Sequence, residues 1–252
     1  MTAVANTPHV ALVTGASGVI GGAIAYALAA SGTRLILHAN KGVAAIDRLL
    51  AGLKKAESVE VLAADLTLEN GRSEITKTAR EKNVDILINN AGIVGGSPLF
   101  AAQTTETAQI LDVNYTTSLK LSEALLPQML EHGFGRIINI SSVAGLTGDA
   151  GRAAYAAAKA ALVGLTRRLA RAAHGNVTVN AVLPGFVAET PALNALGPDK
   201  ARKLVESVPS GRFAEPSEIA ALVAFLASGS SAHVNGALIN VDGGLVSLAA
   251  QG

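Results

Sequence analysis

Seven short apolar runs, "VALVT", "RLILH", "VEVLAAD", "VDILINN", "RIINIS", "VTVNAVLPG" and "ALINVDGG", punctuate the chain, with helix-like segments between them. Runs that are apolar throughout suit strands covered on both faces, and parallel strands need crossover helices to join them. The alternation therefore predicts an α/β fold: a doubly wound, seven-stranded parallel sheet with helices on both faces. Helical patterns fall at roughly 19–31, 43–56, 69–82, 104–132, 153–173 and 216–228, and Pro127 is expected to bend or end one of them. No linker or repeat interrupts the 252 residues, so 1–252 reads as a single domain.

Hydrophobic residues make up 50% of the chain and charged ones 15%, and the mean hydropathy is +0.40, which raises the question of a membrane. The apolar stretches are too short for one: Ile219–Ala227 gives way to "SGSS" well before the roughly 20 residues that span a bilayer. Alanine on helices and branched residues in strands account for much of the excess, and a subunit interface would use more of it. Twenty Lys+Arg against nineteen Asp+Glu leave a net charge of +1 with no basic cluster, so nucleic acid is not an expected partner. Cysteine is absent, and "MTAVANTPHV" lacks a basic stretch followed by a long apolar one, so a cytoplasmic location is expected. The five histidines show no metal-ligand spacing, and no metal is expected.

In a doubly wound sheet, ligands sit beyond the carboxyl ends of the strands where the strand order reverses. "TGASGVIGG", Thr14–Gly22, occupies such a strand end, with Gly15, Gly18 and Gly21 spaced G-x-x-G-x-x-G. Glycines let a backbone turn tightly and approach a diphosphate, whose charge the N–H groups of a helix start can stabilise. An ordinary strand-to-helix turn remains the alternative. In "YAAAK", Tyr155 and Lys159 share a helix face, where an ammonium can favour phenolate and lower the tyrosine pKa, unless the pairing is incidental. Ser141 and Ser142 end the run "INIS", where a hydroxyl can bond a substrate carbonyl or cap a turn. His38 ends the second run and either touches a ligand or is a polar strand end. Residues 188–212, with weak periodicity and three prolines, suggest a lid.

Together these motifs resemble the classical short-chain dehydrogenases/reductases from Val10 to Gly244. The family's T-G-x-x-x-G-x-G matches Thr14, Gly15 and Gly21, and its N-N-A-G matches Asn89 to Gly92. Its helix asparagine falls on Asn114, its serine on Ser142, its Y-x-x-x-K on Tyr155 and Lys159, and its P-G turn on Pro184 and Gly185. The resemblance implies a Rossmann fold binding a nicotinamide dinucleotide. Tyr155 would protonate the carbonyl oxygen, Ser142 would bond it, Lys159 would depress the tyrosine pKa and hold the ribose, and Asn114 would anchor a water. Cofactor contacts would come from Gly15, Ser17, Gly18, Ile20 and Gly21 in the first turn. Asp65 and Leu66 would follow the third strand, with Asp65 near the adenine. Asn90, Ala91 and Gly92 would follow the fourth, and Pro184, Gly185 and Val187 the sixth.

Two departures stand out. The family's middle glycine would fall on Val19, whereas this chain has Gly18, and the threonine expected after Pro184 falls on Glu189, with Thr190 one place later. Where NAD-preferring relatives carry an aspartate, this chain has Ala39, followed by Asn40 and Lys41, so NADP(H) is favoured over NAD(H). "GRIINISSVAG" and "VNGALINVDGG" look most like 3-oxoacyl-acyl-carrier-protein reductases, which implies a small-molecule carbonyl substrate, carrier- or CoA-linked, and a homotetramer. A polyol, sugar or cyclic-ketone dehydrogenase, a non-catalytic cofactor-binding homologue, and an epimerase or dehydratase are the alternatives.

Overall fold

A computed structural model describes residues 8–40, 43–95 and 104–246. The seven strands are β1 (Val10–Val13), β2 (Arg34–Ala39), β3 (Val59–Ala63), β4 (Ile86–Asn89), β5 (Gly135–Ile140), β6 (Val177–Pro184) and β7 (Leu238–Val241). All pairings are parallel, in the order β3-β2-β1-β4-β5-β6-β7. β1 is flanked by β2 and β4, so the order reverses there and a crevice opens beyond their carboxyl ends. Every residue of β1, β4, β5 and β6 is buried, which is why these runs lack polar alternation.

Helices α1 (Val19–Ala29), α2 (Val43–Gly52) and α10 (Pro216–Ala227) cover one face through a core that includes Ile24, Leu28, Leu49 and Val223. Helices α3 (Glu69–Glu81), α5 (Thr117–His132) and α7 (Ala153–Ala170) cover the other through Ile75, Leu121, Leu125 and Leu162. Short helices α6 (Ala144–Thr147), α8 (Pro191–Asn194) and α9 (Pro198–Glu206) lie in the connections.

The single helix expected over 104–132 is interrupted. It is built of α4 (Thr104–Leu111), a π-helical turn at Asp112–Thr116, and α5. Thr117 Oγ1 donates to the Asp112 carbonyl at 2.9 Å, five residues back, and supports the wider turn. Pro127 does not end α5, which runs on to His132 and stops at Gly133, a left-handed residue with φ +73°.

Candidate active site

Beyond β1 the chain turns at Gly15, with φ +67° and a hypothetical Cβ only 2.9 Å from Ala91 Cα, so only glycine fits. A Cβ on Gly21 would meet the Gly15 carbonyl at 2.3 Å, again excluding any larger residue. Gly18 differs: its φ of −80° and ψ of 163° suit any residue, and a Cβ would stay 3.4 Å from the Gly15 carbonyl. It is simply the residue that precedes α1, and the displaced glycine does not deform the turn. Thr14 ties the turn to the loop after β4: its hydroxyl donates to Ile88 O and accepts the N–H groups of Asn90 and Ala91, each at 2.9 Å. Asn90 Nδ2 returns bonds to the carbonyls of Thr14 and Gly15.

His38 completes this frame. Its Nδ1 accepts the Gly15 N–H at 3.1 Å, and its Nε2 lies 3.0 Å from Ala64 O, so the neutral tautomer carries its proton on Nε2. The ring is 2% exposed, and burial lowers its pKa. A polar residue inside the apolar run "RLILHA" was the signal for this role, and the ring both borders the cavity and bonds the backbone.

A cavity of about 320 Å³ opens over this turn, lined by Gly15, Ser17, Gly18, Ile20, Gly21, His38, Asn40, Asp65, Leu66, Asn90, Ala91 and Gly92. The sequence assignments in the first turn and after β3 and β4 thus converge on one space. β3 ends at Ala63, so Asp65 sits in the following turn, where its Oδ1 accepts the Thr67 N–H and hydroxyl at 3.0 and 2.7 Å. Lys41 lies outside the described residues. A turn at which Gly15 and Gly21 admit no Cβ, at the N-terminus of α1, fits a dinucleotide diphosphate.

A second cavity of about 560 Å³ is bordered by Ser142, Tyr155, Lys159, Pro184, Gly185 and Val187, and shares Ile20, Asn90, Gly92 and Thr190 with the first. A buried polar ladder fixes its walls: Asn89 Nδ2 donates to Asn139 Oδ1 and Asn139 Nδ2 to Thr166 Oγ1, each at 2.8 Å, linking β4, β5 and α7. The two serines have separate jobs. Ser141 Oγ donates to Lys159 O at 2.8 Å, clamping β5 to α7, whereas Ser142 Oγ accepts the Ala144 N–H at 3.2 Å, lines the cavity with Tyr155 and pulls the phenol pKa down.

Lys159 is 4% exposed, and its Nζ donates to Ile140 O at 2.7 Å. Burial lowers its pKa to about 8. Burial also pushes the Tyr155 phenol up, ahead of the opposing pulls of Ser142 and Arg152, and Asp149 adds to the rise. This corrects the expectation of a tyrosine lowered by its i+4 lysine: Nζ lies 5.7 Å from the ring centroid, and desolvation dominates. Asn114 sits on the π-turn, 0% exposed, accepting Ile93 N–H at 2.7 Å and donating to Ile93 O at 3.0 Å. A Cβ on Gly92 would meet Asn114 Oδ1 at 3.1 Å and Lys159 Nζ at 3.6 Å, so the two side chains converge on that glycine.

Glu189 is one of two non-glycine residues with positive φ among those described, at +62°. Past this left-handed residue, Thr190 borders both cavities and Glu189 borders neither. Thr190 Oγ1 donates to Val187 O at 2.9 Å. The threonine one place late in sequence is therefore the one at the site. Ala192, Leu193, Leu196 and Leu204, within 188–212, wall the larger cavity.

Among the described residues, no group of three His, Asp or Glu could hold a metal, and no helix is long and apolar enough to cross a membrane. The short chain dehydrogenase family profile matches residues 9–201. The chain is 41% identical to the 3-oxoacyl-[acyl-carrier-protein] reductase FabG of Vibrio cholerae, over 94% of this chain and 96% of that one. It is 40% identical to FabG of Escherichia coli K12, with coverages of 94% and 96%. A gluconate 5-dehydrogenase candidate from Beutenbergia cavernae, solved with NADP at low occupancy, superposes with a TM-score of 0.87 at 35% identity, covering 95% of this chain and 97% of that one. The strand order, the glycine turn, the Ser142–Tyr155–Lys159 cluster and these likenesses agree: the chain belongs to the short-chain dehydrogenase family, oxidoreductases that interconvert carbonyls and alcohols.

Proposed function

We propose that this protein reduces a 3-oxoacyl thioester, carrier- or CoA-linked, to the 3-hydroxyacyl thioester with NADPH. The observation that carries the reading is the adjacency of the two cavities: a diphosphate-sized turn opens beside Ser142, Tyr155 and Lys159 through four shared residues. The wall of Phe186, Leu193, Leu196, Leu204 and Leu245 supports an aliphatic chain, and 3-oxoacyl reductases are among the relatives at about 40% identity.

When bound, the nicotinamide supplies hydride to the carbonyl carbon. Tyr155 gives its phenolic proton to the carbonyl oxygen, and Ser142 donates a hydrogen bond to that oxygen as charge builds on it. Lys159, with its ammonium near the tyrosine, favours the phenolate left behind and would hold the nicotinamide ribose. Asn114, converging with Lys159 on Gly92, would anchor a water that returns a proton from solvent. Gly15, Ser17, Gly18, Ile20 and Gly21 would hold the diphosphate side. Asp65 and Leu66 would border the adenine, and Asn90, Ala91, Gly92, Pro184, Gly185 and Val187 the nicotinamide side. Asn40 and Lys41, with no carboxylate at Ala39, support NADP(H) over NAD(H).

Residues 188–212 act as a lid, and 1–252 as one catalytic domain. A groove between α5 and α7, lined by Tyr115, Leu119, Leu126 and Leu165, supports burial against a symmetry mate in a homotetramer. The cysteine-free composition supports a cytoplasmic setting. A second reading, a sugar-acid dehydrogenase, is favoured by the gluconate dehydrogenase likeness. Comparing kcat/KM for a 3-oxoacyl thioester, a keto sugar acid and a cyclic ketone, each with NADPH and NADH, separates them. Preference for the thioester with NADPH is expected; preference for the sugar acid, or for NADH, overturns the corresponding part.

A further inference from the structure

Asp149 and Arg152 line the larger cavity beside Tyr155, and the chemistry above gives neither a substrate contact. They form a closed turn at the start of α7. Asp149 Oδ1 accepts the Gly151 N–H at 3.1 Å, its Oδ2 pairs with Arg152 Nη2 at 2.5 Å, and Arg152 N donates to Asp149 O at 3.2 Å. So tethered, the guanidinium sits over the Tyr155 ring, with Cζ 5.5 Å from its centroid.

An arginine offers five N–H donors in a fixed fork. Among the described residues Asp149 is the one side chain bonded to this one, through Nη2, and Arg152's side chain is 37% exposed and lines the cavity, which leaves donors of the fork for a ligand. Lys159, the other cation lining the space, is buried and donates to Ile140 O. Ser142 and Tyr155 apart, the other polar side chains of the wall spend their donors on the backbone, Asn90 on Thr14 O and Gly15 O, Ser141 on Lys159 O, Thr147 on Val143 O and Thr190 on Val187 O, and Val94, Phe186, Leu193 and Leu245 offer a substrate oxygen nothing. The cavity therefore holds a cation with spare donors beside the phenol that protonates the reacting carbonyl. An isolated ketone leaves that cation unused. A 1,3-dicarbonyl carries a second acceptor oxygen on the carbon two positions away.

We infer that Arg152 is a specificity-determining residue, donating to the second oxygen of a 1,3-dicarbonyl substrate while Ser142 and Tyr155 hold the 3-oxo group. This deepens the proposed 3-oxoacyl activity and rests on it for the thioester; the shared chemistry is an acceptor oxygen, supplied by a thioester carbonyl or by a carboxylate. Asp149 keeps the fork in place. Arg152 also opposes the rise in the Tyr155 pKa, but that effect is common to every ketone, so the choice of substrate separates the two roles.

The test compares wild type, Arg152→Gln and Arg152→Lys on three probes: the uncharged N-acetylcysteamine thioester of acetoacetate, acetoacetate itself, and 2-pentanone, which lacks the second oxygen. Arg152→Gln is expected to lose about 10- to 100-fold in kcat/KM on the wild type's preferred dicarbonyl, the size expected for a bond to a charged donor, and about threefold or less on 2-pentanone. Arg152→Lys should restore part of the loss. Calorimetry gives a readout independent of turnover: the 3-hydroxybutyryl thioester or 3-hydroxybutyrate should bind the variant more weakly, and 2-pentanol should not. Equal losses on all three probes, or unchanged binding of the hydroxy compounds, overturn the inference. A wild type that reduces acetoacetate but not the thioester overturns the proposed function and leaves the role of Arg152 standing. A wild type that accepts neither dicarbonyl overturns both.

Discussion

The backbone N–H of Gly15 donates to Nδ1 of His38 at 3.1 Å, joining the glycine turn after β1 to the end of β2 through a buried ring. The other ring nitrogen reaches Ala64 O at 3.0 Å, so one imidazole braces three strand ends around the smaller cavity. This brace works in one protonation state. A second proton would sit on Nδ1 and face the Gly15 N–H, turning an acceptor into a donor.

Stability and cofactor affinity should therefore fall together in mild acid. Burial holds the His38 pKa below the ordinary 6.5, so the folded protein binds fewer protons than the unfolded one in that window. The stabilisation is complete above pH 6.5 and is lost as pH falls from there through the lower folded value. His38→Ala should cost about 1–3 kcal/mol at pH 7, through the orphaned Gly15 N–H, and should flatten this limb. Thermal melts and cofactor titrations from pH 5 to 8, about 1.5 units either side of the ordinary histidine value, check it; a wild-type profile flat below pH 6.5 would refute the role of the ring.

The three glycines of the turn should respond unequally. Gly21→Ala places a methyl 2.3 Å from a backbone oxygen and is expected to cost about 2–3 kcal/mol and most cofactor binding. Gly18→Ser introduces a favoured residue at a helix start whose backbone is already extended, and should gain about 0.5 kcal/mol. Equal destabilisation by the two would mean that the spacing of Gly18 is itself structural.

Much of this architecture is legible in the chain because buried parallel strands leave unbroken apolar runs, and the structure has a strand at each. The site is legible where a residue type has no substitute, as with Gly15, Gly21 and the Tyr155–Lys159 pair. Other features carry no such mark. The π-turn at Asp112–Thr116 adds no break to the apolar pattern of "ILDVNYTT", and only Asn114 marks its place. The direction of the Tyr155 shift escapes a reading based on i+4 spacing, because spacing places a charge but says nothing of how much water the phenol loses. Arg152 and Asp149 look like ordinary loop charges until the fold pairs them and sets the Arg152 guanidinium over the Tyr155 ring.

Tyr155→Phe should lower kcat for reduction by at least about 100-fold, the usual worth of a positioned general acid, and leave cofactor affinity within a few fold. Because burial raises the phenol pKa, wild-type Tyr155 stays protonated across neutral pH, and its own ionisation should slow reduction at saturating cofactor only on the alkaline side. Stopped-flow reduction and cofactor titration measure both. More than a tenth of wild-type kcat in the variant, a loss under about 1.4 kcal/mol, would remove Tyr155 as the acid.

Lys159→Met should abolish turnover and yet stabilise the fold at neutral pH. Lys159 titrates near 8 in the folded protein against 10.5 ordinarily, because its ammonium is buried. Between those values the unfolded chain binds more protons than the native one, so wild-type stability rises with pH across that window. Below pH 8 the lysine is charged in both states, and its burial costs the native state about 3–4 kcal/mol, from a shift of 2.5 units at about 1.4 each. Methionine removes that cost but leaves the Ile140 carbonyl without its donor, which returns about 1–2 kcal/mol. The net gain of about 1–3 kcal/mol should raise Tm by a few degrees at pH 7. At pH 10.5 the wild-type lysine is largely neutral when folded, so the advantage should vanish or reverse. Other titrating groups cancel in the difference between the two proteins. A Tm difference that stays constant from pH 7 to 10.5, or a variant that melts lower at pH 7, would mean that burial does not hold Lys159 below its ordinary range.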